Sequence, residues 1–156
     1  MHHSHYRAPD FSLERFRSAP EARFEPAPAD TEDLTRAFAD LNASIASTFE
    51  AARRYKDLAD SKGLRYIAYE GGQHVSYQGP DRLLIARLNR DPRMGEAYQL
   101  FLAGWNRQFG DLLVLYHSTS PMGRSMHFGL AEYSGQPMAE TPKRKAVMDA
   151  IAATRR

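Results

Sequence analysis

The sequence predicts an α/β chain with parallel strands, and three observations carry that expectation. Apolar residues recur at three- and four-residue steps in three separate stretches, and two short apolar runs lie between those stretches. Each run follows its preceding helix after a minimal turn, yet leaves by a long loop. Short turns into strands and long loops out of them are the asymmetry of parallel α/β folds, where ligands bind at the C-terminal strand ends.

Residues 1–30 read as an irregular arm rich in Ala and Pro, and residues 31–156 as the folded part. In the arm, Asp10 suits the start of a short helix over Phe11 to Phe16, but Pro20, Pro26 and Pro28 forbid its continuation. From Thr31 a long helix is expected, with Leu34, Phe38, Leu41, Ile45, Phe49, Ala52 and Leu58 on one face. Asp30 or Thr31 is its cap, a break is allowed near Asn42, and Gly63 is its stop. Leu64 to Tyr69, aromatic and β-branched before Gly71-Gly72, reads as the first strand.

After a loop, Asp91-Pro92 supplies an N-cap and a first-turn proline. Met94, Ala97, Tyr98, Phe101, Trp105 and Phe109 then keep helical spacing as far as Gly110. Trp105 lies on the apolar side of this helix and is expected in the core. Leu112 to Tyr116 is almost wholly apolar, which suits a parallel strand covered on both faces. His117 to Glu140, with its glycines and prolines, reads mostly as loop, and Thr141-Pro142 opens a last helix containing Ala146, Val147, Ala150 and Ile151.

Composition excludes several classes. A chain of 156 residues can bury a core, and its 42% hydrophobic and 26% charged residues are those of a globular domain. The absence of Cys removes disulfides, thiolate zinc sites and cysteine nucleophiles, and leaves the compartment open. No run approaches the ~18 apolar residues of a spanning helix, so no membrane span is expected. Met1 to Tyr6 lacks the basic and apolar regions of a signal peptide. A net charge of +2 gives no argument for nucleic acid. Arg82, Arg87, Arg90, Arg93 and Lys143 to Lys145 are scattered without interleaved aromatics and are expected on solvated faces.

Chemistry concentrates at Tyr69-Glu70-Gly71-Gly72-Gln73-His74. A carboxylate at the mouth of a strand, followed by two glycines, either faces a ligand that the glycines let approach or caps the strand where the chain turns. Tyr69, Gln73 and His74 are its hydrogen-bonding neighbours. His2, His3 and His5 form a tract of the kind that binds divalent metals, but with no carboxylate beside them they read as a polar start. His74, His117 and His127 fall in strand-exit loops at spacings that do not argue for a zinc site, so no metal is expected. Ser118, Ser120 and Ser125 lack the surroundings that activate a hydroxyl.

Tyr66 to His74 resembles the end of the seventh strand in the retaining glycoside hydrolases of clan A, built on the (β/α)8 barrel. The Tyr-Glu-Gly-Gly-Gln-His string is also similar to large bacterial secreted or surface proteins described as cellulose-binding or glycosyl-hydrolase-like. Their tail is matched here by Trp105, Leu112 to Tyr116, Phe128 to Glu132 and Pro142-Lys143, so the resemblance spans residues 64–146. It implies a partial barrel, the last two β/α units preceded by a long helix. Glu70 would hold the nucleophile position, and Tyr69, Gln73, His74, Tyr116, His117 and Phe128 would line a carbohydrate site needing no cofactor. The complement would be the N-terminal part of such a barrel, or another copy of the chain.

Two departures bear on the reaction. No Trp closes the second strand, where Tyr116, His117 and Phe128 are the nearest aromatics. Retaining hydrolysis also needs a second carboxyl about 5–5.5 Å from the first, which the clan takes from its fourth strand. A full barrel takes ~250 residues, so this chain alone is not expected to hydrolyse glycosides. Glu132 is expected to position its loop. The alternatives are a non-catalytic carbohydrate-binding or structural module of a surface or phage-associated protein, stacking sugars on Tyr69, Tyr77 and Tyr116, and a free-standing α/β interaction domain.

Overall fold

The computed structural model of the chain describes residues 31–75, 84–122 and 127–154. The Ala/Pro-rich arm, Tyr77, Arg82 and Ser125 lie outside the described residues. The fold is α/β, with four α-helices and one two-stranded parallel sheet among the described residues.

Helix α1 (Thr31–Ser61) runs unbroken through Asn42, where a break was allowed. Its stripe buries Leu34, Phe38 and Phe49, with Leu41, Ile45 and Ala52 partly covered. Leu58, expected in the same stripe, is exposed instead. Gly63 adopts a φ of 65°, and the Leu64 amide reaches back to the Ala59 carbonyl at 2.9 Å. This left-handed cap satisfies the helix's last carbonyls and needs glycine because a Cβ is strained there.

Strand β1 (Ala68–Gly71) is shorter than the run Leu64 to Tyr69 suggests and ends later. The reason is its partner. Strand β2 (Leu113–Leu115) offers only three residues, pairing Ala68 with Leu113 and Gly71 with Leu115 across a register shift. Leu64 and Ile67 are left exposed outside the ladder. β2 corrects a second expectation, since only one of its faces is covered. Leu113 packs on Phe49, Trp105 and Phe109, whereas Leu112, Val114 and Tyr116 are 53%, 45% and 49% exposed.

The stretch before Asp91, expected as loop, contains helix α2 (Leu84–Arg90), which buries Leu84, Ile85 and Leu88. Helix α3 (Pro92–Gln108) begins as its sequence predicts. The Asp91 carboxylate accepts from the Arg93 amide at 2.9 Å, and Pro92 occupies the first turn. The same carboxylate is gripped by the Arg93 guanidinium at 2.7 Å, which holds its pKa below the ordinary carboxylate value. Asp91→Ala is expected to lower stability by about 1 kcal/mol. Because the folded pKa is depressed, that contribution is present at neutral pH and is lost as pH falls through the folded value. Urea unfolding of both forms at neutral and acid pH checks this: the difference between them should shrink in acid.

After β2 the chain is mostly loop to Glu140, with one bridge between Thr119 and Ala131 and a 3₁₀ turn over Met138–Glu140. Helix α4 (Pro142–Thr154) packs along α3. One core cluster joins all four helices through Leu34, Phe38, Leu84, Leu88, Met94, Tyr98 and Ala146. The other lies between α1, α3 and the sheet, around Phe49, Trp105 and Phe109. Trp105 is in the core, as expected, and its indole N–H donates to the Asp111 carbonyl at 2.8 Å. Among the described residues no helix is long and apolar enough to cross a membrane.

Candidate functional site

Parallel pairing sets the C-terminal ends of β1 and β2 side by side, with the Tyr116 amide donating to the Gly71 carbonyl at 2.9 Å. Four of the seven residues proposed from sequence meet there as a string of aromatic edges. The His74 and Phe128 rings are 5.1 Å apart, Phe128 and Tyr116 5.9 Å, and Tyr116 and His117 4.6 Å, across a cis peptide bond. Tyr69 is 80% exposed, and Glu70 beside it is also exposed, with no ion pair among the described residues. Gly72 has a φ of 133°, and a Cβ there would stand 3.1 Å from the Tyr98 hydroxyl and 3.4 Å from the Tyr116 carbonyl. The glycine pair lets the first exit loop fold tightly over the end of β2.

Gln73, the seventh residue, turns inward. Its amide nitrogen donates to the Asn89 side-chain oxygen at 3.1 Å and to the His127 carbonyl at 2.6 Å, and its oxygen accepts from the Val75 amide at 2.7 Å. Its own backbone N–H reaches the Tyr98 hydroxyl at 3.3 Å. Gln73 therefore holds the exit loop to the core through Asn89 and the His127 carbonyl.

Beneath the loops lies a polar cluster that sequence reasoning missed. Lys143 is fully enclosed, and its Nζ donates to Asn89 Oδ1 at 2.7 Å and to the His127 carbonyl at 2.9 Å. Asn89 is also fully buried and donates to the Ile85 carbonyl at 2.9 Å. His127 is 1% exposed, and neither ring nitrogen has a hydrogen-bond partner among the described residues. Burial pushes the Lys143 amine down to about 7, and burial together with the Lys143 and Arg90 charges pushes His127 below its ordinary value.

The expectation that Lys143 sits on a solvated face is thus corrected. The first turn of α4 packs against Asn89 of α2 and the loop at His127, which supply acceptors that water would otherwise provide. One sequence signal was available. Lys143 stands second in its helix, at the positive end of the dipole, where a solvated ammonium is disfavoured.

The arginines around the cluster are also engaged. Arg90 grips Glu132 through two bonds of 2.7 Å, which holds that carboxyl below its usual range and ties the second exit loop to α2. Glu132 is thus a loop-positioning residue. Arg93 holds Asp91 and lies 4.6 Å above the Phe38 ring. Among the described residues no group of three or more His, Asp or Glu is placed to hold a metal ion. A cavity of about 580 Å³ opens between α1, α2, α3 and the first exit loop, bordered by Leu41, Ile45, Leu88, Phe101, Gln73 and His74. Compared with protein-family models, with curated proteins and with solved structures, the chain gives no match.

Proposed function

We propose that the chain is a carbohydrate-facing piece of a glycoside-hydrolase-like (β/α)8 barrel, contributing its last two β/α units, with Glu70 in the nucleophile position. The observation that carries the reading is the shared end of the parallel pair. There the exposed Glu70 carboxylate, with no ion pair among the described residues, follows exposed Tyr69 on β1, and the His74, Phe128, Tyr116 and His117 rings gather around the end of β2. Aromatic faces next to a carboxylate suit sugars, whose rings present apolar C–H faces and whose anomeric carbon develops positive charge during hydrolysis. Two strands that have no further neighbour among the described residues are what such a barrel leaves when its other strands come from another segment or from a second copy.

Binding without turnover is the expected behaviour of this chain. The Glu132 carboxylate is occupied by Arg90 with both oxygens, so it is not placed to serve as the acid that retaining hydrolysis needs. The same observation favours the second reading, a non-catalytic carbohydrate-binding module. Native gel electrophoresis through soluble β-glucans tests the proposal. Wild type should be retarded, Tyr69→Ala and Phe128→Ala should each lose roughly tenfold or more in affinity, and aryl glycosides should not be turned over. Unretarded migration through every glucan tried would refute the carbohydrate reading, whereas Glu70-dependent turnover would refute the partial-barrel reading.

A further inference from the structure

We propose that Lys143 is held in the fold as an uncharged amine that latches both strand-exit loops to α2 and α4, and that acidification loosens this latch. The inference does not depend on what the strand mouth binds.

Geometry supplies the first argument. A neutral amine has two N–H donors and an ammonium three, and Lys143 Nζ finds two acceptors, Asn89 Oδ1 and the His127 carbonyl. Both acceptors are uncharged. The side chain is fully enclosed and makes no ion pair among the described residues, and Glu132, the carboxylate that would favour its charged form, is already engaged by Arg90. The helix dipole acts the same way, because Lys143 lies in the first turn of a helix of 13 residues. An isolated ammonium in such surroundings sheds its proton rather than remain charged.

His127 strengthens the device. A neutral imidazole buried without partners leaves one donor and one acceptor unsatisfied; protonating it leaves two donors and a charge. The groups bearing on it are Lys143 of α4 and Arg90 of α2, which oppose its charging, and Glu132 of its own loop, which favours it more weakly. Tyr98 of α3 accepts from the Gln73 amide, and burial raises its phenol above the ordinary value, so it stays neutral through the same range.

The two titrations push stability in one direction. Lys143 has a folded pKa of about 7 against an unfolded value near 10.5, so between these values the unfolded chain binds the extra proton. Stability therefore rises with pH across that window and stays low beneath it. His127, also lowered, gives a second loss as pH falls below its unfolded value of 6.5. What opens is the junction of both exit loops with α2 and α4, because one nitrogen of Lys143 and one of Gln73 converge on the same two oxygens.

The test is nuclear magnetic resonance on the full chain labelled with ¹³C and ¹⁵N. The Lys143 Cε and Nζ signals should titrate near neutrality. Amides at Gln73, Val75 and 127–131 should be at least about tenfold better protected near pH 9 than near pH 6, after correction for intrinsic exchange. Lys143→Met keeps the linear side chain and removes the amine, and should flatten that pH dependence. A Lys143 midpoint above about 10, or an undiminished pH dependence in Lys143→Met, would overturn the proposal. Should that variant fail to fold, the wild-type titration decides alone.

Discussion

Replacing Phe49 with alanine is expected to cost the fold about 3–5 kcal/mol, the range for a buried aromatic cut back to a methyl group. Phe49 is 5% exposed and holds three parts of the second cluster together. Its ring stacks on Phe101 at 5.6 Å and leans on Phe109 at 5.9 Å, and its edge enters the groove left by Gly104 of α3. Glycine inside a helix usually costs about 1 kcal/mol relative to alanine, so Gly104→Ala would stabilise an exposed helix. Here the opposite is expected. A Cβ at that position would stand 2.3 Å from Phe49 Cε2 and 2.8 Å from Cζ, and the ring is confined between its neighbours.

Overpacking of this kind costs about 1–3 kcal/mol, enough to outweigh the propensity gain. The two lesions share one contact, so they should not add. In the Phe49→Ala background the alanine at 104 meets open space and regains its helical advantage. Urea unfolding of the four forms checks this cycle. Additive losses would mean that α1 and α3 do not meet through this ring.

How much of this was legible before the structure depended on whether a residue's partner was local. Asp91-Pro92 and Gly63 act within a few residues of themselves, and the structure places each at the helix end that its chemistry demands. The stripe from Leu34 to Phe49 follows from periodicity alone, and so does the alternation of helices with strands. The start of β1 does not, because it is set by β2, more than forty residues later. Helix α2 was hidden by its seven residues, too few for a period of 3.6 to stand out from a loop.

The candidate site divides along the same line. Glu70, Tyr69 and the aromatic residues of the two exit loops were readable because strand ends in a parallel fold are neighbours whatever their sequence distance. Lys143 was not. Its burial depends on Asn89, which is 54 positions away, and on a backbone carbonyl, and a lysine between a proline and an arginine looks solvated. Gln73 could be located but not oriented, since a glutamine beside two glycines can face the strand mouth or the core with equal ease.

The sheet itself yields the second large effect. Exposed apolar residues scattered singly over a surface are ordinary, but here several lie on or directly beside two adjacent strands. Tyr69 of β1 and Val114 of β2, with Ile67 and Leu112 just before the strands, are 80%, 45%, 47% and 53% exposed. In this two-stranded sheet each strand also has an edge with no neighbouring strand among the described residues, and such edges accept further strands. The chain is therefore expected to self-associate, in a manner set by its concentration, when no other segment supplies the neighbouring layer. Ile67→Lys with Val114→Lys should weaken that association by at least about tenfold, or 1.4 kcal/mol. Any fall in the urea midpoint measured in dilute solution should be smaller than that of Phe49→Ala, because Ile67 and Val114 already stand 47% and 45% exposed in the monomer. Sedimentation equilibrium over a wide concentration range separates the outcomes. A wild-type chain that stays monomeric throughout and unfolds cooperatively would mean that these exposed residues are tolerated by a self-sufficient domain, and the partial-barrel reading would fall with the association.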